Sequence, residues 1–146
     1  MERLPALSLA EFPEHVLAGA RGFEAKEVSP ETLRKWFVVL SGWLFRLAEM
    51  KTEAQSSWLV SQVALKKVKF MQFTKARAEG QSVSAAEKSA ELNQAYLDAY
   101  LEEVTAEARY RSLDARYDSL KEAIQSLKKA TDTSVQEARL LGGPNP

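Results

Sequence analysis

Residues 66–77 combine cations and aromatic rings in a way that could bind a nucleic acid. The segment holds five cations and no acid, with Phe70 and Phe73 between them. Cations neutralise phosphates, and rings stack on unpaired bases, so this pattern is typical of a single-strand binding surface. On a helix, Lys66 and Phe70 lie on one stripe, which continues through Phe73 and Arg77. The candidate contacts are Lys66, Lys67, Lys69, Phe70, Phe73, Lys75 and Arg77.

The same segment has other interpretations. If it lies in an antiparallel helical pair, it runs beside residues 86–97, where Glu87 and Glu91 could neutralise its cations. Phe70 and Phe73 would then be packing residues. A basic helical face also suits an acidic membrane or an acidic protein tail.

Catalysis has little support in the sequence. His15 is the only histidine, and no cysteine accompanies it, so zinc ribbons and thiol nucleophiles are excluded. The carboxylates are spread along the chain, and six glycines are too few and too scattered for a phosphate loop. We therefore predict no enzyme activity, no metal and no cofactor.

Composition predicts an all-α fold. Ala, Glu, Lys, Leu and Arg supply 75 of the 146 residues, and between residues 31 and 141 there is no proline and only Gly42 and Gly80. The 20 cations balance 20 acids, which excludes a uniformly basic protein. The charges are nevertheless segregated, because 87–107 is mainly acidic and 109–129 mainly basic.

Start and stop signals place the helices. Ser8 opens a capping box, Ser29-Pro30-Glu31 is a favourable helix start, and Ser84 begins a second capping box. Gly80 stands where a helix C′ glycine is expected. We predict a single helical domain over 1–146, with a short helix 8–20, long helices 30–78 and 84–130 joined by a short turn into an antiparallel, coiled-coil-like hairpin, and a possible last helix 134–141.

Seams of apolar residues predict how these helices pack. Leu92 starts an alternating 4,3 series that only Glu103 interrupts, which is the spacing of a coiled coil. More apolar surface lies off the seams than one hairpin can bury, so we predict a homo-oligomer. The predicted core and interface residues are Trp36, Trp43, Trp58, Tyr110, Leu113, Tyr117, Leu120, Ile124 and Leu127.

We expect a cytoplasmic protein without a membrane segment. The N-terminus lacks the apolar stretch of a signal peptide, and the strongest apolar run, 36–45, is about half the length that a bilayer requires. If the protein is phage-encoded, the compartment is the host cytoplasm.

Four marks along the central half of the chain suggest a family. They are Trp43-Leu44, Val63-Ala64-Leu65-Lys66, Glu87-Lys88-Ser89 and Tyr110. In type and separation they resemble the UvsY-type recombination mediators of T4-like phages, and Tyr117 and Ile124 also look similar.

The resemblance implies a small, helical, oligomeric protein that binds single-stranded DNA. It further implies contacts with a single-strand binding protein and with a RecA-like recombinase, which the mediator helps onto the covered strand. The family's DNA-binding lysine matches Lys66, but its arginine two residues later is replaced by Val68, with Lys67 and Lys69 as flanking cations. The alternative is a structural or adaptor helical coiled-coil oligomer without nucleic-acid binding.

Overall fold

The computed structural model describes residues 30–142. Within this range the chain forms three α-helices, and no residue of it is in a strand. They are α1 (Pro30–Ala78), α2 (Val83–Glu91) and α3 (Gln94–Leu141). The all-α prediction is thus confirmed for the described range, whereas the predicted helix 8–20 lies outside it.

Helix α1 has the bounds that its start and stop signals predict, and it passes through Gly42 without a break. Its last turn closes as a Schellman motif. The Gly80 amide donates to the carbonyl oxygen of Arg77 at 3.0 Å, and the Gln81 amide donates to that of Ala76 at 3.1 Å. Gly80 adopts a φ of 89°, which a residue without Cβ tolerates best.

The prediction of one helix over 84–130 is wrong at both ends. At the start, Ser82 is the N-cap rather than Ser84, because its side chain accepts a hydrogen bond from the Ala85 amide at 3.3 Å. The predicted helix is also divided into α2 and α3. Asn93 causes this division, since its Oδ1 accepts from the Ala95 amide at 2.9 Å and thereby begins a new helix.

The predicted interruption around residues 131–134 is absent, and with it the separate helix 134–141. Helix α3 instead continues to Leu141. Thr131 and Thr133 remain in the helix because each hydroxyl donates to the carbonyl oxygen four residues earlier, at 2.8 and 3.0 Å respectively. The hydroxyl groups of both threonines therefore have hydrogen-bond acceptors within the helix itself.

The residues pack in two compact units. Residues 30–48 and 115–142 belong to one, which buries Leu40, Trp43 and Leu47 of α1 and the aliphatic side chains of α3. Those of α3 are Leu120, Ile124 and Leu127. Trp36 and Tyr117 are half-buried in the same unit. A single domain over 1–146 stays a prediction.

Glu49–Asp114 forms the other unit, and its core contains mostly small residues. The buried side chains are Ala54, Ala76, Ala86, Ala90 and Leu113. Trp58 and Tyr110 are half-buried and stack with their ring centroids 5.4 Å apart. Leu92, predicted to begin the seam, is instead 79% exposed because it lies at the division between α2 and α3.

Candidate nucleic-acid interface

The cations predicted to bind nucleic acid are mostly at the surface of α1. Lys66, Lys67, Lys75 and Arg77 are exposed, and Phe70 is 69% exposed. Phe73 and Lys69 are half-buried. The structure therefore leaves most of the segment accessible, while it draws two of the predicted residues inwards.

Lys66, Lys67 and Phe70 lie close together on α1 with two exposed apolar neighbours. Residues three and four apart are adjacent on a helix, so Val63 lies beside Lys66 and Lys67, and Met71 follows Lys67 by one turn. Val63 and Met71 are 66% and 56% exposed. We call Val63, Lys66, Lys67, Phe70 and Met71 the basic face of α1. It has no acidic member, and within residues 30–142 neither of its lysines forms an ion pair.

Lys69 differs from these two lysines because α2 supplies an acid for it. Its Nζ donates to Oε1 of Glu91 at 2.6 Å and lies 6.0 Å from the centre of the Tyr96 ring. The hydrogen bond to Glu91, with the attraction of the same carboxylate, raises the pKa of Lys69 above its ordinary value. Of the cations in 66–77, Lys69 is the one neutralised in the way that the alternative interpretation expects.

The remaining two predicted contacts, Lys75 and Arg77, lie beyond the basic face towards the end of α1. Lys75 lies on the opposite side of α1 from Lys66, nine residues earlier, but it follows Met71 by four residues and so adjoins the Lys67 edge of the basic face. Arg77 returns to the side of Lys66, but its Nη1 donates to the carbonyl oxygen of Gln81 at 2.7 Å and so braces the turn. The predicted set is therefore not one surface.

Val68 stands where the resemblance to the UvsY-type proteins would place an arginine. Its side chain is half-buried, so a cation at this position would lie on the packed side of α1. Lys67, one residue earlier, is exposed on the basic face and provides charge there.

Sequence reasoning missed the role of Glu103. Its Oε1 accepts a hydrogen bond from Nε1 of Trp58 at 2.7 Å, beside the stacked ring of Tyr110. A half-buried tryptophan needs an acceptor for its N–H, and the single polar residue in the apolar series was the available signal. Glu103 thus takes part in a contact between α1 and α3.

Two other kinds of site have no counterpart among the described residues. Within 30–142, no helix carries an apolar stretch of the length that crosses a membrane. In the same range, no three acidic, histidine or cysteine side chains gather as a metal would require.

Comparison of the chain with family models, with curated proteins and with solved structures found no match.

Proposed function

We propose that this protein is an oligomeric recombination mediator that binds single-stranded DNA through the basic face of α1. In this role it helps a RecA-like recombinase onto strand covered by single-strand binding protein. The observation that carries the DNA-binding part is the exposure of Lys66, Lys67 and Phe70 together on an acid-free face. The mediator part rests on the resemblance to the UvsY-type proteins.

We further propose that α1 pairs with α2 and α3 as an antiparallel hairpin. Within Glu49–Asp114, contacts occur in reverse order along the two partners. Lys69 pairs with Glu91, Trp58 bonds to Glu103, and Lys51 forms an ion pair with Asp114. Such pairing turns the basic face of α1 away from α3, which keeps it accessible.

Oligomerisation would compensate for the small number of cations on each chain. Two lysines per copy neutralise few phosphates, but several copies on one strand add their contacts by avidity. Because every base has a ring face, stacking on Phe70 needs no particular sequence.

The DNA-binding part is tested by fluorescence anisotropy with labelled oligo-dT. The double change Lys66→Ala/Lys67→Ala should weaken binding about tenfold. It should also reduce the slope of log K against log salt by about 1.4, because each phosphate that is no longer neutralised lowers the slope by ~0.7. Lys128→Ala/Lys129→Ala is the matched control, because it also removes two adjacent exposed lysines from a helix.

Absence of binding by the unchanged protein at about 50 mM salt would reject the DNA-binding proposal. Equal losses in the two double variants would reject the basic face as its site, since the effect would then follow net charge alone.

The mediator part requires a separate experiment. Strand exchange by a RecA-like recombinase is measured on DNA already covered by single-strand binding protein. Adding this protein should shorten the lag, and Lys66→Ala/Lys67→Ala should restore it. If the protein binds DNA but does not change the lag, the mediator proposal is rejected and only the DNA-binding proposal remains.

A structural or adaptor coiled coil is the second candidate. The observation in its favour is the Lys69–Glu91 ion pair, in which an acid of α2 neutralises a cation of α1. This candidate predicts an oligomer that forms normally and ignores oligo-dT at every salt concentration.

A further inference from the structure

A groove lies between α1 and α3 within Glu49–Asp114, away from the basic face. Its volume is about 410 Å³, and it is open to solvent. Its lining consists largely of small or aliphatic side chains, with one acid and one base: Ala54, Ser57, Leu101, Glu102, Thr105, Ala106 and Arg109. Small side chains leave a depression that a helix can enter, since ridges on one helix pack into grooves on another.

The two charges of this groove are arranged symmetrically. Glu102 and Arg109 are both exposed, and within residues 30–142 neither forms an ion pair. They are seven residues apart on α3, which places them about 10 Å apart along one side of the helix. Thr105 and Ala106 lie midway between them. An acid therefore stands at one end of an uncharged floor and a base at the other.

This arrangement is complementary to itself. In a two-fold interface the same patch meets itself in reverse, so residue i contacts residue j and j contacts i. With the two-fold axis passing near Thr105, Glu102 of each copy would face Arg109 of the other. Leu101, which is 66% exposed, would be covered by the same contact.

We infer that a second copy of this chain docks on the groove, with the two α3 helices antiparallel. Two reciprocal ion pairs between Glu102 and Arg109 fix the register, and the small-residue floor allows the helices to approach closely. Opposite charges placed in this way favour the correct partner, because like charges would meet in a parallel or shifted arrangement.

The second copy leaves Lys66 free. Ser57, on the wall of the groove, precedes Lys66 by nine residues and so lies on the opposite side of α1. This interface would be one contact within the oligomer of the proposed function, and its purpose rests on that function. The interface itself forms without DNA.

Charge reversal tests the interface by sedimentation velocity over a range of protein concentrations, without DNA. Glu102→Arg and Arg109→Glu should each raise the dissociation constant between copies by about tenfold, because two like-charged pairs replace two ion pairs. An equimolar mixture of the two variants should regain the original association. One copy then carries a base at both positions and the other an acid at both, so each facing pair is again of opposite charge. The double variant E102R/R109E should also regain it.

Lys88→Glu is the control, as a charge reversal at an exposed position of α2. A monomeric unchanged protein, single variants that associate as tightly as the unchanged protein, or a mixture that does not recover would each overturn the inference. Rescue by mixing also excludes misfolding as the cause of a loss. If the charge reversals behave as expected while oligo-dT is not bound, the interface stands and the proposed function fails.

Discussion

At the scale of single residues, Lys69 is placed between two possible anionic partners. Glu91 holds its Nζ at 2.6 Å, while Lys66 and Lys67 nearby have no such acid within residues 30–142. A phosphate that approaches the basic face would compete with Glu91 for Lys69. If the protein binds DNA as we propose, Glu91 limits the positive charge that α1 offers to it.

Replacing this acid should strengthen DNA binding. Glu91→Gln keeps the size of the side chain but removes the charge, so Lys69 becomes available to phosphate. We expect about a threefold gain in affinity for oligo-dT, a modest effect because an exposed ion pair is weak. Glu122→Gln removes one exposed acid from α3 and serves as control, measured by the same anisotropy titration. An equal gain in both variants would contradict a local role for Glu91.

The direction of the Lys69 pKa shift determines the pH range in which the ion pair between Lys69 and Glu91 is stabilising. Glu91 raises the pKa of Lys69 above 10.5, so the stabilisation is fully present below that pH and is lost as the pH rises through the raised value. The neutralisation of Lys69 by Glu91 consequently holds throughout the neutral range.

Trp58 provides a second prediction at this scale. Glu103→Ala removes the acceptor of its N–H in a half-buried position, which should lower the free energy of unfolding by about 1–2 kcal/mol. Glu103→Gln retains an oxygen acceptor and should lose less than half of that amount. Urea unfolding followed by circular dichroism measures both, and equal losses would show that the hydrogen bond is unimportant.

At the scale of helices, Gly42 and Gly80 make opposite demands on the residue at each position. Gly42 lies inside α1, and a Cβ added there would meet nothing within 4 Å. Gly80 likewise has space, but its φ of 89° is unfavourable for any residue with a Cβ.

The same substitution should thus have opposite effects at the two positions. Gly42→Ala should raise the free energy of unfolding by up to about 1 kcal/mol, because alanine favours the helix. Gly80→Ala should lower it by about 1–2 kcal/mol, because the Schellman turn would be strained. Thermal unfolding by circular dichroism compares them. Stabilisation by Gly80→Ala would contradict the left-handed turn.

Helix type and the bounds of α1 were predictable, but two other features of the helices were not. Thr131-Asp132-Thr133 looks like an interruption by composition, yet threonine hydroxyls that bond back to the helix remove that penalty. Asn93 looks harmless inside a regular 4,3 series, and only its hydrogen bond to the Ala95 amide reveals it as a helix cap. Such side-chain to backbone bonds depend on rotamers, which periodicity does not encode.

The candidate site was predictable to a similar degree. Interleaving of Lys and Phe predicted one helical stripe through Lys66, Phe70, Phe73 and Arg77, of which the structure leaves Phe73 half-buried and the others exposed. The engagement of Lys69 by Glu91 depended on the register between α1 and α2. The sequence was compatible both with that ion pair and with an exposed Lys69, and it could not distinguish between the two.

At the scale of the whole molecule, acids and bases are equal in number, so the DNA binding that we propose would depend on assembly rather than on net charge. If two copies join at Glu102 and Arg109, a long strand can contact both basic faces while a short one reaches only one. The effect of oligomeric state on DNA affinity should therefore depend on the length of the DNA.

The variant Glu102→Arg separates assembly from charge. It makes the protein more basic, which by itself would strengthen DNA binding. If it also disrupts the interface, affinity for a long oligo-dT should fall about tenfold, whereas affinity for a short one should not fall. Anisotropy with two oligonucleotide lengths measures this difference, and E102R/R109E should behave as the unchanged protein. A uniform gain at both lengths would contradict this dependence on DNA length.

The order of contacts along α1 also has a consequence for the speed of folding. Lys69 and Glu91 are 22 residues apart in sequence, whereas Trp58 and Glu103 are 45 apart, and the turn at Gly80 lies inside both loops. The entropy lost on closing a loop grows with its length, so contacts near the turn should form first and shorten the search for the more distant ones. In stopped-flow refolding, Gly80→Ala should then mainly slow folding, while Glu103→Ala should mainly accelerate unfolding.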